Sequence, residues 1–335
     1  VSEIVFEEIY PDKKYKYSSR YNFSFNQIVD DRFFRGNQGN DIGLKIITPY
    51  YDTGVELTDN ELKLMSAREN NLIVKLPNDT AFLEEIEEIL RIESFLRKKG
   101  GVSLTQKIEE IKDGKRREAA ERKNRVILLL TEAIKNADMY ANSQKLEIKE
   151  KHPAERINDG FKILIEGIYK KLDYIKHFTT TKDLYDIFAD NEQFELNSGE
   201  TQNKLALDEV AGYIERNTAR NIPVTMKTIL GIYEKAPYGW LEEDIEWLVA
   251  KLFKAQEIKL QLNSQYLDFQ DREIVKYLTR RDYADRLLIE KRIKVPAHQI
   301  INARELCKEL FNITAVPSDE DGLMKKFKDL ARDEI

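Results

Sequence analysis

The run Asp30-Asp31-Arg32-Phe33-Phe34-Arg35 gathers the side chains best suited to act on a charged group. Arg32 or Arg35 could reach a phosphate at a neighbouring subunit, as an arginine finger does, because a guanidinium stabilises charge building on a transferred phosphoryl group. The alternative is a strand end whose charges pair locally while its aromatics bury. Glu242-Glu243-Asp244 could hold an acid and a base, although acidic residues in a first helical turn also simply oppose the helix dipole. His152, His177 and His298 stand apart, with no second ligand at helical or hairpin spacing, so no metal site is expected. Cys307, beside Leu306 and Leu310 on an apolar helical face, reads as a buried thiol rather than a nucleophile.

Nucleotide chemistry needs a phosphate cradle, and the chain lacks the Gly-x-x-x-x-Gly-Lys-Ser/Thr pattern. Gly114-Lys115 has neither the upstream glycine nor the following hydroxyl residue. Gly36, Gly39 and Gly43 precede a strand, so no helix N-terminus would face an anion there. No catalytic, cofactor-binding or metal-binding residue is therefore expected in this chain. Two basic blocks remain. Lys107 to Arg125 carries eight Lys/Arg against five acids, as a solvated helical arm or a phosphate-tracking surface. Residues 271–294 carry eight bases against five acids, the bases being Arg272, Lys276, Arg280, Arg281, Arg286, Lys291, Arg292 and Lys294.

The elements that must position these residues follow from periodicity. Runs at Ile4 to Phe6 with Ile9, Tyr15 to Val29, Ile42 to Tyr50 and Leu72 to Leu76 suit strands, separated by Gly, Asn and Asp. A helix from Phe82 closes at Gly100-Gly101, and a longer one runs from Ser103 to about Ala137. Residues 139–149 form a short hairpin about Asn142-Ser143. Ile157 to Ile175 keeps helical spacing over five turns, and Thr179-Thr180-Thr181 with Asp183 caps a short helix through Phe188. Polar residues 190–203 suit a linker. Then come helices at Leu205 to Arg220, Thr225 to Lys235 and Leu241 to Phe253, the last two joined by a turn at Pro237 and Gly239. A strand at Glu257 to Leu262, a helix at Arg272 to Leu278, a returning strand at Asp285 to Lys294 and a helix from Pro296 to about Phe311 complete the order.

That order outlines a winged helix-turn-helix, a module that holds nucleic acid or another protein domain. The fold expected is α+β and helix-rich. It divides into a strand-rich region with a closing helix (1–100), a helical region with a hairpin (101–190), a winged-helix-like domain (203–312) and the start of a further helix (313–335). In a DNA-reading winged helix the second helix of the turn enters the major groove N-terminal end first. Here that end would present Glu242, Glu243, Asp244 and Glu246, with only Lys251 and Lys254 to compensate. Four carboxylates are repelled by phosphates, so docking against a partner domain is the better expectation. DNA contact would fall to the backbone-grazing bases Arg272, Lys276, Arg280, Arg281, Arg286, Lys291 and Arg292.

Composition sets the outer bounds. The 335 residues are 41% hydrophobic and 34% charged, which suits several packed, well-solvated units. A net charge of −6 argues against a surface coated in bases for non-specific nucleic-acid binding, though not against a local patch. Apolar runs such as Val126 to Leu130 are too short to span a bilayer. A single cysteine and the lack of a signal-peptide pattern fit a reducing, cytoplasmic setting. The chain opens at Val1, holds its first methionine at Met65, and stops inside a charged helical pattern, so a fragment of a larger polypeptide is expected.

Several blocks resemble one family. They are Asp30-Asp31-Arg32, Asp41 to Tyr50, Leu76-Pro77-Asn78-Asp79, Lys235-Ala236-Pro237-Tyr238-Gly239-Trp240 and Trp247 to Phe253. Their order is similar to that in the large P-loop ATPase subunit of the BREX bacteriophage-exclusion system, akin to the ATPase of phage-growth-limitation systems. The resemblance implies a phage-defence ATPase that uses ATP and Mg in the parent protein and self-associates. Its implied partners are the system's methyltransferase and phosphatase-like subunits, with DNA as target. The phosphate loop is missing, so the resembling part lies outside the ATPase core and no ATP-site residue carries over. A non-catalytic coupling region is the leading expectation. The rival is an independent winged-helix DNA-binding or transcription-regulatory protein.

Overall fold

The computed structural model describes residues 1–51, 57–98, 106–189, 202–268, 271–293, 295–317 and 320–333. Two compact units divide at Lys170/Lys171. The helix end expected at Gly100-Gly101, most of the linker expected at 190–203, and Lys294 lie outside the described residues.

The first unit opens with α1 (Ser2–Ile4), which continues as a π-helical turn over Val5–Ile9. This corrects the strand expected at Ile4 to Phe6. A run of three apolar residues carries no period, and here Val5 and Phe6 bury from a helical turn, with Phe6 stacked on Phe34 at 5.6 Å. Strands β1 (Lys14–Lys16), β2 (Asn22–Val29), β3 (Arg32–Phe33) and β4 (Ile42–Ile47) follow. After them come α2 (Asp59–Arg68), β5 (Asn71–Lys75), α3 (Ala81–Lys98) and α4 (Gln106–Lys135). Strands β6 (Asp138–Ala141) and β7 (Gln144–Leu146) and helix α5 (Pro153–Ile168) complete the unit. The sheet order is β1-β2-β4-β5-β6-β7, with β3 pairing β2. Strands β2, β4 and β5 are parallel, and β6 joins antiparallel with Ile73 opposite Tyr140.

The central strand β4 is buried along its whole length, as parallel strands covered on both faces must be. Ile47, Ile73 and Tyr140 pack with Leu62 of α2, and Gly160 of α5 brings that helix against Leu72 so closely that a Cβ would lie 2.7 Å from it. The expected boundary at residue 100 differs from this arrangement. The hairpin β6–β7 extends the N-terminal sheet, so residues up to Lys170 belong with the strands before them. The helix expected from Ile157 to Ile175 stops at Ile168, and Leu172–Tyr174 forms a separate 3-10 turn.

The second unit holds α6 (Thr181–Phe188), α7 (Lys204–Ala219), α8 (Met226–Tyr233) and α9 (Glu242–Lys254). Then come β8 (Ile258–Leu262), β9 (Gln265–Tyr266), α10 (Ile274–Thr279), α11 (Arg281–Ala284) and β10 (Leu288–Lys291). Helices α12 (Ala297–Phe311) and α13 (Glu320–Asp333) end it. Strand β10 returns antiparallel to β8 and bridges to Thr225, just before α8. The small sheet therefore has the strand order of a winged helix behind the three-helix set α7–α9. No described helix is long and apolar enough to cross a membrane.

Candidate functional site

Helix α9 occupies the place of a recognition helix, and the structure buries it. Among its described residues Glu243 is the single exposed one. Its apolar spacing puts Ile245, Leu248, Val249 and Leu252 into the core. Its polar side is covered too, because α6, α7, α8, α10 and β8 all pack on it. Asp244, expected at the presenting end, is fully buried. It accepts the N–H and the hydroxyl of Thr179, each at 2.8 Å. Glu246 is also buried. Burial and the nearby Glu242 and Glu243 push its carboxyl up to about 8.

A pH dependence follows for Glu246. The folded chain holds a proton that the unfolded chain releases near the ordinary carboxylate value, so stability falls as pH climbs from about 4.5 to about 8. The Glu246→Gln variant is expected to gain about 1–3 kcal/mol over the parent at about pH 8 and little at about pH 5. Thermal unfolding at both pH values measures it. Equal gains at both would sink the titration account.

The helix expected at Arg272 to Leu278 is present as α10, between the two main strands of the small sheet. Helices α10 and α11 pack back on α9 and α8 respectively. Five bases of the 271–294 block meet acids within the chain. Lys276 pairs with Glu273, Arg280 with Asp282 at 2.7 Å, and Arg281 with Glu242 at 3.5 Å. Arg286 donates to the Asp282 carbonyl at 3.1 Å and lies over the Tyr283 ring. Lys291 lies 3.7 Å from Glu215 and 3.8 Å from Glu257, and the buried Arg292 lies 3.3 Å from Glu320. Arg272 is exposed. The structure brings the exposed set Arg272, Arg280, Arg281 and Arg286 onto the α10–α11 insertion, interleaved with acids.

The Asp30 cluster lies in the other unit and makes an ion network. Asp30 and Asp31 form a two-residue hairpin turn with φ of 46° and 62°, between β2 and β3. Such left-handed values are strained for a non-glycine residue. The carboxylates offset that cost. Asp30 accepts from the Thr48 N–H at 2.8 Å and its hydroxyl at 2.6 Å. Asp31 pairs with Lys45 and accepts from the Tyr51 hydroxyl at 2.5 Å. Lys45, only 2% exposed on β4, also reaches Glu69 at 3.0 Å. Arg35 pairs with Glu7, while Arg32 is exposed on β3. Sequence reasoning passed over Lys45. A charged residue inside the apolar run Ile42 to Ile47 was the available signal.

The remaining singled-out residues sit apart. His152 is the exposed N-cap of α5, and His177 and His298 are exposed. Cys307 is buried on α12. Gly114-Lys115 does not form a phosphate cradle. Gly114 and Lys115 lie inside α4, whose backbone N–H groups are engaged in the helix, and Lys115 pairs with Glu118 at 2.6 Å. The missing Cβ of Gly43 makes room for the Asn71 side chain, so that glycine serves strand packing.

The KAPYGW turn forms a clamp. The Pro237 carbonyl accepts from the Lys171 N–H at 2.9 Å, and the Trp240 indole N–H donates to the Lys171 carbonyl at 2.9 Å. The Lys171 ammonium meets Glu209 at 2.8 Å, and the Tyr238 hydroxyl donates to the same carboxylate at 2.8 Å. Both backbone groups of Lys171 are thereby fixed at the start of the segment that leads to α6.

Three family models match successive parts of the chain. Residues 1–164 match the BREX ATP-binding protein BrxC 4th domain with six-stranded beta sheet. Residues 171–293 match the BREX ATP-binding protein BrxC winged helix-turn-helix domain, and residues 299–335 the BREX ATP-binding protein BrxC alpha helical domain. No solved structure matches the chain.

Proposed function

The chain belongs to the family of the BREX ATP-binding protein BrxC, a phage-defence ATPase subunit, and we propose that this region is a non-catalytic coupling part of it. It docks other subunits of the system, and the ATP and Mg chemistry resides outside it. The methyltransferase and phosphatase-like subunits are the proposed partners, in the cytoplasm. The burial of α9 carries this reading. A helix with one exposed residue, and that one a glutamate, has no side chains to offer base edges in a major groove. The alternative, a free-standing DNA-binding regulator, would need the bases of the insertion to do the whole work, and acids interleave them.

The test immobilises the full chain and offers purified BREX subunits and duplex DNA separately. Retention of a subunit is expected. Duplex DNA at about 50 mM salt is expected to pass with no retention that a joint Arg272→Glu, Arg280→Glu, Arg281→Glu and Arg286→Glu change abolishes. Salt-sensitive DNA retention lost in that variant, with no subunit retained, would overturn the proposal in favour of the regulator.

A further inference from the structure

The surface of α9 that a winged helix normally presents is a filled groove. Thr179 sits at the first turn of α9 through its two hydrogen bonds to Asp244, and the Phe188 ring lies 6.5 Å from Phe253 in the last turn. Helix α6 therefore runs parallel along α9. Its covered side is narrow, with Leu184 buried and Ile187 and Phe188 half-buried. Among its described residues Leu184 alone is buried, while Tyr185 is 57% exposed and Phe178, just before the helix, is 43% exposed. Its first turn is capped within the segment, Thr180 and Asp183 exchanging hydrogen bonds, so its leading amides do not depend on α9. The segment is held by Leu184, the half-buried Ile187 and Phe188, the hydrogen bonds of Thr179 to Asp244 and the Glu243 carbonyl, and the Asn203 side chain at Lys176 and His177. A helix of eight residues with one exposed side opens locally more readily than a helix buried all round.

We propose that α6 is a displaceable cover, and that the α9 face beneath it is the docking groove for an amphipathic helix of a partner protein. This rests on the coupling role and specifies its surface. The occupant's chemistry is set by what α6 leaves behind. Asp244 takes a hydroxyl or cationic side chain at the position of Thr179, and the groove takes apolar residues five and nine positions later, as Leu184 and Phe188 are. A cationic first turn is favoured, because it gives Asp244 a charge-assisted hydrogen bond where Thr179 offers neutral donors. It also faces the neighbouring Glu242 and Glu243. The tethered α6 competes at high effective concentration, so only a helix with those stronger contacts displaces it.

Hydrogen exchange on the full chain is the first measurement. Amides of α6 are expected to exchange at least about a hundredfold faster than those of α8 and α9; equal protection would overturn the cover. The second uses a labelled peptide of residues 177–189 against full-length Leu184→Asp, which releases α6 without altering α9. Binding to this variant and none to the unaltered chain at the same concentration is expected. A peptide carrying arginine in place of Thr179 should bind roughly tenfold tighter. Should Leu184→Asp fail to fold, Thr179→Val gives a milder release, seen as faster exchange in α6 with α9 unchanged. A folded, α6-released variant that ignores the peptide removes the groove, even where the subunit-retention test succeeds. Peptide binding without subunit retention removes the coupling role instead.

Discussion

Trp240→Ala is expected to destabilise the 171–335 unit by about 3–5 kcal/mol, the range for deleting a buried aromatic side chain. Trp240 is 2% exposed, stacks on Tyr233 at 4.9 Å with the ring planes nearly parallel, and meets Tyr238 edge-on at 5.0 Å. The substitution leaves a cavity between these rings and also strips the Lys171 carbonyl of its indole donor. Trp247 then remains as the sole tryptophan of the chain, so urea unfolding followed by its fluorescence reports on the same unit. Trp240→Phe should cost less, about 1–3 kcal/mol, since the ring returns and only the hydrogen bond and some volume are lost. A loss below about 1 kcal/mol for the alanine variant would mean that the turn does not clamp Lys171.

The second large effect lies in the first unit. Removing both partners of Lys45, as Asp31→Ala with Glu69→Ala, leaves an ammonium buried without a counter-charge and is expected to cost about 3–5 kcal/mol. Adding Lys45→Met should restore most of that loss, because an apolar side chain of similar length suits a strand interior. Urea unfolding followed by far-ultraviolet circular dichroism measures all three variants. A triple variant no more stable than the double would refute the charge account. The pH sign agrees. Burial alone would raise the Asp31 carboxyl, but hydrogen bonds from Lys45 and Tyr51 outweigh it and hold it below its ordinary value. Its contribution is therefore present above about pH 4 and fades as the carboxylate protonates in acid.

Local features were the most legible in the sequence. The Thr180–Asp183 cap, the Asn142-Ser143 turn and the left-handed Gly239 all appear where residue chemistry placed them. Each depends on side chains within a few positions of the backbone they satisfy. Ile4 to Phe6 misled because three apolar residues fit a strand and a helical turn equally well. The grouping of residues 101–170 was hidden because β6 pairs with β5 across the whole α3–α4 pair. Nothing between those strands records the pairing.

For the candidate site, the sequence by itself determined that no phosphate loop is present, and the order of helices and strands that makes a winged helix. It also determined that acids cluster at the start of α9. The polar period of α9 suggests a solvated face, and only the tertiary structure decided that this face is closed. The reason is physical: α6 and α10, which cover it, come from segments well before and well after α9, and Thr179 reaches Asp244 only when the chain folds back. A sequence pattern records which residues prefer water. Which of them lose it is settled by neighbours that the pattern does not contain.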